Sequence, residues 1–213
     1  MKKYEQIKQA IFSLDNPIME MSNFILNLAL INLLFVLTSL PVITIGISKT
    51  IFYRMLFKLN EHSHLPIIST YFEEWKKEWR QSIWLGLVEF ILYSFILFDL
   101  YLISNQHSPW IAGLKVLGYA SLFLISSIFL YVYPINAKYV MTNQKILKKS
   151  LLMTCLHGQW TIVSMLTLII IVFIMQINFL IFYLILSLLC IIGCSMLGYI
   201  HIIILNQIFK NYQ

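Results

Sequence analysis

The sequence predicts an all-α membrane protein: a polytopic transmembrane helical bundle of five long spans plus a short return helix, with interfacial amphipathic helices. Three observations predict it. Hydrophobic residues fill 60% of the 213 positions and charged residues only 11%, which leaves too little polar surface to cover a globule in water. Several apolar runs reach the roughly 20 residues that a helix needs to cross the hydrocarbon core. The basic residues stand beside those runs, as they do in cytoplasmic loops, and form no separate soluble patch. The net charge of +6 therefore reads as loops facing anionic lipid and not as a nucleic-acid surface. No Gly/Ser- or Pro-rich linker divides the chain and no repeat of roughly 20–50 residues appears, so one membrane domain is expected over 1–213. No short apolar core with a small-residue cleavage site opens the chain, so the first apolar run is itself the first anchor.

The elements follow in order. Residues 1–20 form an amphipathic N-terminal segment, with Tyr4, Ile7, Ile11 and Leu14 at helical spacing. The first span is 24–43, and it runs into TSLPVITIGISKTIFYRMLF (38–57). Read as a loop, that stretch would put the N-terminus outside and strand Lys2, Lys3 and Lys8 on the wrong face. With Pro41 and Gly46 marking an outer turn, residues 44–59 return through the membrane. Sixteen residues give about 24 Å of helix against a core of roughly 30 Å, so the return helix must be shielded by its neighbours. In YFEEWKKEWRQS (71–82), Phe72, Trp75 and Trp79 share a face and predict an interfacial helix leading into the span 83–103. The hairpin SNQHSP (104–109) precedes the span 111–133, and a turn at Gln176–Asn178 joins the spans 152–176 and 179–205. Neither hairpin carries Lys or Arg, so both belong outside. The loops 58–80 and 134–150 carry four basic residues each, so both belong in the cytoplasm. Both termini then lie in the cytoplasm with twelve of the fifteen Lys and Arg, the exceptions being Lys115, Lys49 and Arg54.

Glu89 is the most informative single residue. It lies seven positions into its span, about 10 Å from the inner interface, where a carboxylate must pair, protonate or line water. Arg54 falls at similar depth and is the expected partner, with His201 and Lys49 as the other candidates. A structural ion pair is the preferred reading over a proton- or substrate-linked carboxylate. Asn23, Asn27 and Asn32 line the first span as helix-joining amides. Ser187, Cys190, Cys194 and Gly198 recur at spacings of three, four and four, a small-residue face for close helix packing, with Pro41 and Gly46 setting the turn and the start of the return helix. Cys190 and Cys194 lack the third and fourth ligands of a metal site. His62 and His64, in EHSHLP, read as a solvated loop, and Cys155, Cys190 and Cys194 indicate no disulfide framework. There is no phosphate-binding loop, no H-E-x-x-H and no G-x-S-x-G, and LMTCLHGQWTIV (152–163) is a poor version of the loop by which importer permeases engage their ATPases. No catalysis, cofactor or metal is expected.

Three stretches together resemble the YesL family of bacterial integral membrane proteins: NLALINLLFVLTSLPVITIGISKTIFYRML (27–56), YFEEWKKEWRQS (71–82) and YVYPINAKYV (131–140). The chain departs from the family pattern at Ile47 and Ser48, where Pro-Ala is frequent, and at Lys49 and Arg54, where small or uncharged residues are common. The resemblance implies a multi-pass protein of the bacterial cell membrane. Members are frequently encoded beside carbohydrate ABC importers, so it also implies an accessory or assembly role beside importer permease subunits. Self-association in the lipid bilayer, as a small transporter or channel using the intramembrane carboxylate, is the rival expectation.

Overall fold

The computed structural model describes residues 17–61, 65–106 and 108–210. The expected amphipathic segment around residues 4–14 and the loop residues His62 and His64 lie outside them. Among the described residues every regular element is helical: α1 (Pro17–Ser39), a 3-10 turn (Val42–Thr44), α2 (Ile45–Glu61), α3 (Ile67–Leu102), α4 (Pro109–Lys138), α5 (Asn143–Leu156), α6 (Gly158–Met175), α7 (Phe179–Leu188), a π-turn (Leu189–Gly193) and α8 (Cys194–Lys210). Five helical stretches are long and apolar enough to cross a membrane, the last running through α7, the π-turn and α8. The fold is that of an all-α helical bundle with five candidate spans.

The short helix is at its centre. Ten of the seventeen residues of α2 are buried, because it packs against α1, α3, α4 and α8, the shielding that its length requires. Pro41 itself is exposed and serves the turn, its carbonyl accepting from Thr44 N at 3.0 Å and from Thr44 Oγ1 at 2.7 Å. Gly46 lets α2 touch α3 directly: a Cβ there would fall 2.6 Å from the Cα of Gly86. From that contact the two helices run antiparallel in steps of four. Asn136 bridges Thr50 and Ser82, Arg54 meets Glu78, and Lys58 meets Glu74.

Three expectations need correction. The segment 71–82 is no separate helix, because α3 continues unbroken from Ile67. At 36 residues α3 has a contour of about 54 Å, so part of it must lie beyond the hydrocarbon core. Phe72 and Trp79 stay exposed, while Tyr71 and Ser82 turn inward. Next, the span 152–176 does not extend back to residue 152. His157 leaves helical geometry (φ −112, ψ 41) and separates α6 from α5, and α5 buries Ile146, Ser150 and Met153 in its packing beside α4. Finally, the stripe through Ser187, Cys190, Cys194 and Gly198 is not one face, for Ser187 and Cys190 are exposed. The π-turn holds one residue more per turn than an α-helix, which rotates the buried side onto Gly193, Ser195, Gly198 and Ile202. Gly198 does pack closely, since a Cβ there would lie 2.6 Å from Phe52 Cε1.

A single amide holds the π-turn. Asn32 is fully buried on α1; its Nδ2 donates to the carbonyls of Leu189 (2.9 Å) and Cys190 (2.7 Å), and its Oδ1 accepts from Ser195 N at 2.9 Å. The expected amide joint is therefore present at Asn32.

Candidate functional site

Helical spacing builds the site. Lys49 and Tyr53 on α2, Glu89 and Tyr93 on α3, and Phe129 and Tyr133 on α4 are each four residues apart, so each pair shares a face. The three faces meet. Lys49 Nζ donates to both oxygens of Glu89 at 2.8 Å, Tyr133 OH donates to Glu89 Oε2, and the ammonium also sits 4.9 Å from the centre of the Tyr133 ring. Glu89 is 7% exposed. One turn away along α3, Tyr93 OH and Ser126 Oγ share a hydrogen bond of 2.7 Å. One turn along α2, Tyr53 OH meets His201 Nδ1 at 3.1 Å, and the ring of Tyr131 stands edge-on to His201.

The expected pairing of Arg54 with Glu89 does not form. Lys49 and Arg54 are five residues apart, which puts them on different faces of α2 and about 7.5 Å apart along its axis. Arg54 Nη1 lies 2.9 Å from both Glu74 Oε2 and Glu78 Oε1, while Nε and Nη2 donate to the carbonyls of Ala137 (3.1 Å) and Asn136 (3.2 Å). Those carbonyls belong to the last turn of α4, whose intrahelical partners are missing and whose dipole attracts a cation. His201 is buried near the pair but bonds Tyr53, not Glu89. Of the sequence candidates, Lys49 and Glu89 come together, His201 stands one turn away, and Arg54 joins a second cluster. Glu74, Glu78, Tyr133 and Asn136 were missed; the four-residue steps from Lys58 and Arg54 and the Tyr133-Pro134 dipeptide were the available signals.

The pair and its phenols line a partly open pocket of ≈ 840 Å³, together with other residues of α2, α3, α4, α6 and α8. Cys194 and Gly198 also line it. Among the described residues no three of His, Cys, Asp and Glu gather into a metal-binding group. What the arrangement offers is a neutral ion pair, hydroxyls and an apolar chamber, which suits binding.

Fold and site together define a multi-pass α-helical membrane protein with an ion pair beside a partly open pocket. Residues 28–100, which carry the second half of α1, all of α2 and most of α3, match the family model described as "Protein of unknown function, DUF624". The matched stretch includes Lys49, Arg54 and Glu89 but stops short of Tyr133. No curated protein and no solved structure matches the chain.

Proposed function

We propose that the chain is a YesL-type protein of the bacterial cell membrane, with both termini in the cytoplasm, that acts as a non-catalytic accessory or assembly partner of a membrane complex such as a carbohydrate ABC importer. The observation that carries this reading is the state of Glu89, whose two oxygens are both taken by Lys49 and one also by Tyr133. A carboxylate so engaged fixes α2, α3 and α4 to one another and is poorly placed to shuttle protons. The hairpin of α6 and α7 leaves ample apolar surface for a neighbour in the bilayer, since α6 buries only Thr161 and Met165 and α7 nothing. The importer enters through the resemblance in the three sequence stretches. Isolation of the tagged chain in gentle detergent, with mass spectrometry of its companions, tests the reading: a stoichiometric permease supports it, and a lone homo-oligomer refutes it.

The second reading is a small transporter using the Glu89 carboxylate. The cavity in whose wall the ion pair stands favours it, and substrate flux that disappears in Glu89→Gln while the fold persists would establish it.

A further inference from the structure

The geometry points to the pocket lined by α2, α3, α4, α6 and α8 as a binding site, filled from the bilayer, for a neutral membrane lipid whose polar end carries an acceptor oxygen. This inference stands apart from the accessory and transporter readings. The volume of ≈ 840 Å³ falls in the range of small-molecule sites, which are mostly apolar with a few placed polar groups. Its lining is mixed. Leu168, Ile169 and Val172 of α6 and Ile200 of α8 line it and stay exposed to about half their extent, so the pocket is continuous with apolar outer surface. Lys49, Tyr53, Tyr93 and Tyr133 add polar groups to the same lining.

Charge and depth narrow the ligand. The Glu89 side chain is 10% exposed and that of Lys49 32%, so Lys49 is the more accessible side chain of the pair. It has three N–H donors and lies within reach of only two carboxylate oxygens, which leaves a donor for an acceptor atom of the ligand. The pair is neutral as a unit, so an ionised ligand would bring an uncompensated charge into the membrane interior. On the span 83–103 expected from the sequence, Glu89 would sit about 10 Å from the inner interface, a depth that disfavours a hydrated phosphate head. A neutral oxygen on an apolar tail satisfies all of these constraints, either the ring carbonyl of a prenylquinone or the hydroxyl of a long-chain prenol.

The test uses the purified full chain in detergent, with a short-tailed prenylquinone, a C20 prenol, palmitate and phosphatidylglycerol as probes. Expected are a saturable rise in melting temperature with the quinone or the prenol, no displacement of either by palmitate or phosphatidylglycerol, and loss of the rise in Leu168→Trp and Val172→Trp, which add bulk to the α6 lining and leave Lys49 and Glu89 in place. A response to the quinone alone identifies a carbonyl head, and a response to the prenol alone a hydroxyl head. The proposal is overturned if neither neutral probe shifts the parent, if palmitate displaces them, or if the rise survives in a folded Trp variant. Should both Trp variants fail to fold, competition against the parent still decides.

Discussion

Replacing Gly46 by alanine should cost more than replacing any freely placed glycine, although the two changes are chemically identical. A Cβ at position 46 falls 2.4 Å from the carbonyl oxygen of Ser82 and 2.6 Å from the Cα of Gly86, where ordinary contact begins at 3.4 Å. The shortfall of about 1 Å (3.4 less 2.4) is met by backbone on the opposite helix, which has no rotamer to yield. Helices α2 and α3 must therefore part, and the next step of the ladder suffers first. The bonds from Asn136 Nδ2 to Thr50 and Ser82 are both 3.2 Å, already at the long end of the useful range. Overpacking strain of about 1–3 kcal/mol adds to about 0.5–1.5 kcal/mol for each hydrogen bond weakened. Against this stands the roughly 1 kcal/mol by which alanine exceeds glycine in a helix. The net expectation is a loss of about 1–5 kcal/mol. Gly113, with nothing within 4 Å of its built Cβ, should gain up to about 1 kcal/mol on the same change. Gly118, whose three nearest contacts are all side-chain atoms of Leu100, should fall between. Equilibrium unfolding in mixed SDS micelles orders the three, and equal stabilities for Gly46→Ala and Gly113→Ala would refute the backbone contact.

Three further outcomes are expected. A double-mutant cycle on Lys49→Met and Glu89→Gln should show coupling of about 1 kcal/mol or more, while the cycle on Arg54→Gln and Glu89→Gln should be near additive; melting in detergent reads both, and the reverse pattern would restore the Arg54 partnership. Asn32→Asp keeps the acceptor for Ser195 N but removes the two donors to Leu189 and Cys190, so it should destabilise by about 2 kcal/mol, and a variant as stable as the parent would show that the π-turn needs no clasp. In a background without native cysteines, a cysteine at position 106 should react with an impermeant reagent from outside and one at position 3 should not; labelling at position 3 would mean that residues 44–59 do not return.

Much of the fold was legible because lipid imposes simple rules. Length and composition gave the long spans, and Pro41 with Gly46 gave α2, since a run that is too short and too charged for lipid can be tolerated only inside a bundle. The partner of Glu89 was not legible. Depth favoured Arg54 over Lys49, and the actual choice depends on the register between α2 and α3, which the contact of Gly46 with Gly86 helps to set. The π-turn was invisible for another reason: its cause, Asn32, lies on α1, 157 residues from the first carbonyl that it bonds. Helix α5 was hidden because its buried face is only Ile146, Ser150 and Met153 among exposed lysines.

The ladder between α2 and α3 also bears on how the chain enters the bilayer. Lys49, Arg54 and Lys58 would make α2 a poor insertion substrate on its own, yet their counter-charges, Glu89, Glu78 and Glu74, all arrive on the helix made next. The two helices are therefore fit to be inserted as a pair and not in succession. An acid lost from α3 would then be felt in the orientation that the N-terminal third of the protein adopts during synthesis, before any folded molecule exists to be weakened.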